Sequence, residues 1–101
     1  MDKSQCKEHA RYMVTLRDEG GRLRPENLYV YRCYDDFMVV RFLDRDGFVH
    51  KLRYGDVVKV VKVMEVPPKK RYLLPEALLA KEQWQDKEVL HIYATSPGLG
   101  K

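Results

Sequence analysis

The run FMVVRFL at residues 37–43 decides the fold, because apolar side chains occupy almost every position in it. A half-buried strand alternates between apolar and polar residues, whereas a nearly continuous apolar run is typical of a strand covered on both faces. Turn-forming residues bound the run, with Asp35 and Asp36 before it and the sequence DRDG at residues 44–47 after it. We therefore predict a short strand here that is buried on two sides.

Four other segments have the composition of strands, at residues 11–17 (RYMVTLR), 27–34 (NLYVYRCY), 48–54 (FVHKLRY) and 57–66 (VVKVVKVMEV). The sequence DEGG at residues 18–21 supplies the positive-φ positions of a tight hairpin. Lys59 and Lys62 are three residues apart and cannot share a face of a regular strand, so a bulge or a strong bend is expected between them. Five strands joined by short turns predict a small, strongly bent β barrel.

The two ends of the chain differ from this pattern. Residues 1–10 are predicted to form a short helix, capped by Asp2 or Ser4, or a loose arm. We divide the chain into residues 1–66, the barrel with its arm, and residues 67–101, an extension that packs on the same domain.

The extension is predicted to hold a linker, a helix, a strand and a tail. Paired prolines at 67 and 68 favour a stiff, extended connector. Pro75 is expected to begin a helix of about three turns. The stripe of that helix that faces inward would consist of Ala77, Ala80 and Trp84. A final strand is predicted at residues 87–94.

Composition limits the classes of function. The 101 residues suit one domain, and 19 basic against 15 acidic residues give a net charge of +4, which permits an anionic partner without requiring one. No stretch approaches the roughly 20 apolar residues of a membrane span, and no secretory signal is visible, so we expect no membrane association and a cytoplasmic location. Cys6 and Cys33 form neither a CxxC pair nor a disulfide framework, and we expect both to be reduced and structural.

Catalytic and metal-binding patterns are missing from the sequence. The two serines, Ser4 and Ser96, lie near the ends, and no phosphate-binding loop precedes a helix. Asp35 and Asp36 are interpreted as solvated turn residues rather than cation ligands. The sequence therefore predicts a protein that is not an enzyme and that binds no cofactor and no metal.

Several residues have two interpretations, one as a binding group and one as a structural group. The tyrosines at 29, 31 and 34 would stack nucleic-acid bases or would widen the core. His50 would stack on a ligand or would pack beside Phe48 and Leu52. The run Lys69-Lys70-Arg71 is either a phosphate-binding patch or a solvated linker.

The order of residues resembles the Sm-like family, in particular its bacterial Hfq branch, over about residues 11–63. The resemblance is carried by five short segments, which are Val14-Thr15-Leu16, Gly20-Gly21-Arg22-Leu23, Tyr34-Asp35-Asp36-Phe37-Met38-Val39-Val40, Val49-His50-Lys51 and Val57-Val58. It implies an SH3/Sm-like barrel of five strands, assembly into a ring and binding of single-stranded RNA. Asp36 stands where the Hfq type carries a glutamine, and Leu52 stands where it carries a histidine.

By this resemblance Phe37 and Lys51 correspond to RNA-pocket positions, and His50 replaces an aromatic residue. Arg53 adds a further cation to the predicted RNA-binding site. The sequence thus predicts a homo-oligomer that binds single-stranded RNA. The alternative is an SH3/Sm-like scaffold for protein contacts, and a peptide-binding version of it would expose a groove among Tyr29, Tyr31 and Trp84.

Overall fold

The protein is a mainly β domain built on one antiparallel sheet. The computed structural model describes residues 1–45 and 48–85, and it describes the backbone of residues 89–93. The strands are β1 (Ala10–Arg17), β2 (Leu23–Cys33), β3 (Phe37–Phe42), β4 (Phe48–Arg53), β5 (Val57–Glu65) and β6 (Val89–Tyr93). Their order across the sheet is β5-β1-β2-β3-β4-β6. Within the described residues the sheet is not closed, because β5 and β6 form its two edges.

The β1–β2 hairpin forms as predicted. The Asp18 carboxylate accepts hydrogen bonds from the amides of Gly20 and Arg22, both at 2.9 Å, and Gly21 has a φ of 80° that favours glycine. Strand β2 begins earlier than predicted and includes Pro25, which lies opposite Thr15 of β1. Pairing with β3 starts only at Leu28, so proline stands where the strand is locally an edge.

The predicted bulge in the last long strand is confirmed. Lys62 lies opposite Met13 and Val60 lies opposite Val14, so the ladder skips Val61. Lys59 lies opposite Thr15, with a second irregularity between Thr15 and its neighbour Leu16. Directly opposed residues share a face of the sheet, so the bulge places both lysines on the face that carries Met13 and Thr15.

The sheet is buried on both faces. We call residues 1–9 the arm and residues 66–84 the strap, since each of them covers one face. The arm-side core comprises Ala10, Tyr12, Val14, Leu16, Leu28, Val30, Met38, Val40, Phe42, Leu52, Tyr54 and Val57. The strap-side core comprises Tyr29, Tyr31, Phe37, Val39, Val49, Val66, Leu79 and Trp84. The double burial of the run at 37–43 is therefore confirmed.

The structure of the strap shows that two predictions are wrong, the extended connector and the helix of three turns. The connector is not extended throughout, because Pro68–Lys70 form a 3-10 turn. The helix is a single turn, Glu76–Leu79, that stops at Ala80 (φ −61°, ψ 140°) before a second 3-10 turn, Lys81–Trp84.

Burial of Trp84 explains why the helix is short. The indole N–H of Trp84 needs an acceptor when it is buried, and it donates to the Leu78 carbonyl at 2.9 Å. The Leu78 carbonyl can accept this hydrogen bond because the helix ends at the next residue, Leu79. Leu79 and Trp84 are then buried, whereas Ala77 is exposed, so the predicted inward stripe is wrong at Ala77.

The other elements are short and local. Lys3–Gln5 form a 3-10 turn that begins after Asp2, at the place where a short helix was predicted in the arm. Tyr54–Asp56 form another 3-10 turn between β4 and β5. Strand β6 confirms the centre of the strand predicted at residues 87–94, and the ends of that prediction lie outside the described residues. Asp46 and Gly47 of the turn predicted at residues 44–47 also lie outside them. Within the described part of the chain no helix is long and apolar enough to span a membrane.

The two cysteines form a disulfide, so the expectation that both are reduced is wrong. Cys6 of the arm and Cys33 at the end of β2 are bonded, with a Cα–Cα distance of 6.1 Å. The arm is also held by Tyr12, whose hydroxyl accepts from the Lys7 amide and donates to the Gln5 carbonyl, both at 2.8 Å. Disulfides are rare in the reducing cytosol, and the cytoplasmic location stays a prediction.

We expect reduction of this disulfide to destabilise the domain. The bond joins residues 27 positions apart, and the chain-entropy model assigns roughly 3–4 kcal/mol to closing a loop of that length. Urea denaturation with and without a thiol reductant measures the difference. The Cys6→Ser/Cys33→Ser double variant should have the urea midpoint of the reduced protein, and the reductant should not change it. Equal midpoints for all samples would contradict the proposed role of the bond.

Candidate functional site

The structure brings together three of the four predicted RNA-binding residues. Lys51 and Arg53 lie opposite Val39 and Phe37 on the strap side of the sheet. A cleft of about 410 Å³ forms there. Its lining consists of Asp36, Phe37, Lys51, Arg53, Lys81 and Gln85. His50 points to the other face, where its ring lies 4.8 Å from that of Phe42, so the structure separates it from the cleft.

Other side chains of the protein cover the Phe37 ring in this cleft. Phe37 is only 5% exposed, with the Tyr34 ring at 5.2 Å and the Lys51 ammonium 4.8 Å from its centroid. Lys51 in turn donates to the Trp84 carbonyl at 2.8 Å, which fixes the end of the strap. The cleft can therefore attract an anion, but it does not offer Phe37 as an open platform for a base.

Two of the three predicted stacking tyrosines, Tyr29 and Tyr31, belong to the core. Tyr29 and Tyr31 are fully buried in the strap-side core, and burial raises the pKa of Tyr29 to about 12. Tyr34 is half-buried, and its hydroxyl donates to the Leu79 carbonyl. Because Trp84 is buried as well, the predicted peptide groove among Tyr29, Tyr31 and Trp84 is filled by the protein itself.

The basic run Lys69-Lys70-Arg71 lies in the first turn of the strap, apart from the cleft. Lys69 and Lys70 are exposed. Arg71 is half-buried and donates from Nε to the Val66 carbonyl at 3.0 Å. None of the three lines the cleft that holds Lys51, so the two predicted basic sites are separate.

The feature that sequence analysis missed is the edge formed by β5. Among the described residues β5 is paired only with β1. Its exposed apolar side chains are Val58 (42% exposed), Val61 (53%), Val63 (43%) and Met64 (49%). We call β5 with these side chains the open edge. The sequence carried a signal for it, since VVKVVKVMEV has apolar residues on both sides of the strand, but the position of the strand in the sheet was needed to show that they are exposed.

A cavity adjoins the open edge where β5 passes into the strap. This edge pocket has a volume of about 260 Å³, and its lining consists of Arg11, Tyr29, Met64, Glu65, Val66, Pro67, Lys70 and Tyr72. A second, shallower cavity of about 170 Å³ continues along the same face past Met13 and Lys62. Together the two cavities form a surface with an apolar floor and a basic rim.

His9 links the arm to the sheet beside this surface. Its backbone is left-handed, with a φ of 58°, while its amide donates to Val30 and its carbonyl accepts from Val66. The ring Nδ1 lies 2.7 Å from the Tyr29 hydroxyl. Burial, and next the charge of Arg71, lower the pKa of His9, although Glu8 acts in the opposite direction.

Comparison with known proteins gives no relative. No family model matches the chain, and no curated protein and no solved structure is significantly similar to it. The described residues contain no group of three or more His, Cys, Asp or Glu side chains placed to hold a metal ion.

The lowered pKa of His9 predicts that acidification weakens the fold. The unfolded chain takes up the proton near pH 6.5 and the folded chain takes it up only at lower pH. The contribution of His9 is therefore complete above about pH 7, and it is lost as the pH falls below 6.5 toward the lowered pKa of the folded state. Urea midpoints across this range test it, with His9→Asn as the control, because asparagine tolerates left-handed backbone and does not titrate. An identical pH slope in His9→Asn would contradict the assignment.

Proposed function

We propose that this protein is a non-catalytic interaction module with an SH3/Sm-like barrel architecture, and that the open edge is its working surface. The observation that supports this most is the position of β5, paired on one side only among the described residues while exposing four apolar side chains. The meander of the first five strands, with β5 returning beside β1, is the order that a small bent barrel uses.

An edge strand is a natural place for a second chain to bind. Its outward N–H and C=O groups are unpaired and can extend the sheet by one strand. The bulges at Val58 and Val61 limit pairing with arbitrary strands, since a bulge breaks the regular ladder. The module is therefore selective for a strand that fits the bent edge.

The opposite edge is less suited to this role. Strand β6 pairs with β4 over Phe48, Val49 and His50, so the sheet is extended beyond β4 by the same chain. A ring formed by pairing of β4 with β5 of a neighbour would require β6 to leave this position. Homo-oligomeric assembly through β4 thus remains a prediction that competes with the contacts of β6.

RNA binding is the second candidate function, and the cations of the cleft favour it. Lys51, Arg53 and Lys81 converge on a 410 Å³ space opposed by Asp36. With Phe37 buried, such binding would rest on phosphate contacts and would depend strongly on salt rather than on base identity.

The interaction module is tested by selecting binders from a random library of peptides about eight residues long. Binders should shift the amide resonances of residues 57–65 in NMR spectra, and methylation of alternate peptide amides should abolish binding. The Val61→Ser/Val63→Ser variant should bind about tenfold more weakly, because it removes exposed apolar contacts from the edge without adding charge.

Leu23→Ser serves as the control for losing an exposed apolar side chain, because Leu23 is 57% exposed and lies outside β5. Substitutions at such exposed positions usually change stability by less than about 0.5 kcal/mol, so both proteins should stay folded. Absence of binders, or binders that shift only Lys51, Arg53 and Lys81, would refute the proposed surface. Oligouridine binding that is lost in Lys51→Glu/Arg53→Glu would support the RNA candidate instead.

A further inference from the structure

We infer that the open edge binds an extended acidic segment of another protein, which pairs beside β5 and places one apolar side chain in the edge pocket. This inference rests on the proposed function and adds the chemistry of the partner. Three observations carry it, namely the charge along the edge, the size of the pocket and the poor fit of other occupants.

The charge along the edge is positive. Because of the bulge at Val61, Lys59 and Lys62 project from the same face of the sheet, where they lie opposite Thr15 and Met13. Arg11 lies opposite Met64 and continues this face. A strand added beside β5 would therefore run along a row of cations interrupted by the apolar side chain of Met64.

Glu65 is the one acidic residue among those that line the two cavities, and it is exposed. Glu65 lies opposite Ala10, on the arm side, and its carboxylate is 3.8 Å from the Lys7 ammonium. The exposed Lys70 also lines the edge pocket. Incoming carboxylates would thus meet cations along most of the surface.

A half-buried arginine, Arg41, lies behind one wall of the pocket. Arg41 stacks on Tyr72 with its guanidinium carbon 4.3 Å from the ring centroid. Its Nε and Nη1 atoms are buried and have no hydrogen-bond partner within the described residues. Because a partly buried cation is screened less than an exposed one, Arg41 adds positive charge behind Tyr72, which lines the pocket.

The pocket has the size for a side chain. Its volume of about 260 Å³ falls below the roughly 300–1,000 Å³ of small-molecule sites. Tyr29, Val66, Pro67 and Tyr72 make its walls largely apolar. Strand addition commonly combines backbone pairing with pockets for alternate side chains, so a leucine-sized residue flanked by acidic ones would match both parts of the surface.

Other occupants fit less well. A second copy would bring the lysines of two β5 strands to one seam, where like charges repel. Residues 94–101 (ATSPGLGK) carry no acidic residue and include one proline and two glycines, which disfavour a strand. The phosphates of an RNA could contact the lysines of the edge, but Tyr29 is buried and cannot stack a base.

Fluorescence anisotropy with defined peptides tests the inference on the full chain. The probe is a labelled peptide of about seven residues in which glutamate alternates with valine around a central leucine. Its counterpart carries lysine in place of glutamate. We expect the acidic peptide to bind about tenfold more tightly, and the difference to shrink as salt is raised. Replacing the central leucine by glycine should weaken binding about fivefold, because the edge pocket is left empty.

The charge assignment is tested by reversing it in the protein. Lys59→Glu/Lys62→Glu should invert the preference between the two peptides. The control Lys3→Glu/Arg22→Glu changes the net charge equally at exposed positions outside both the edge and the cleft, and it should keep the wild-type preference.

The outcomes separate this inference from the proposed function. If neither peptide binds, the open edge is not a strand-binding surface and the proposed function fails. If both bind equally and amide methylation abolishes binding, the proposed function stands and the acidic specificity is wrong. Acidic preference that survives in Lys59→Glu/Lys62→Glu, or displacement of the acidic peptide by oligouridine, would also overturn the inference.

Discussion

The constraint on which the structure depends is the burial of β2 and β3 on both faces. Leu28 through Tyr31 and Phe37 through Val40 are all buried, so a single bent sheet cannot shield them alone. The arm covers one face and is fastened by the disulfide, while the strap covers the other through Leu79 and Trp84. The short helix and its interruption at Ala80 follow from this task, because Trp84 must reach both the core and the Leu78 carbonyl.

The same coverage determines where a partner can bind. The strap closes the face on which Phe37 would have met a base, and Lys51 is used to hold the strap through the Trp84 carbonyl. Strand β6 extends the sheet beyond β4. Of the two edges of the described sheet, we propose that of β5 for interaction, because apolar side chains and two lysines are exposed along it.

Local chemistry made much of the fold predictable. The hairpin at Gly20-Gly21, the double burial of residues 37–43 and the bulge between Lys59 and Lys62 depend on neighbours in sequence, and each is confirmed. Because neighbouring residues of a strand face opposite sides, His50 and Lys51 are separated, and the predicted site that grouped them does not form as one. The disulfide, the broken helix and the edge pocket depend on residues distant in sequence that meet only when the arm and the strap fold over the sheet. For that reason no local pattern indicated them.

The most direct test of the open edge is amide hydrogen exchange of β5, followed by NMR at neutral pH. In a strand paired on one side, amides that point to β1 are protected and those that point outward exchange rapidly. We expect this mixed pattern across residues 57–65 of the free protein, with the fast amides becoming protected only when a strand-forming peptide is added. Uniform protection of β5 in the free protein would show that the edge is already covered and would contradict its role as the binding surface.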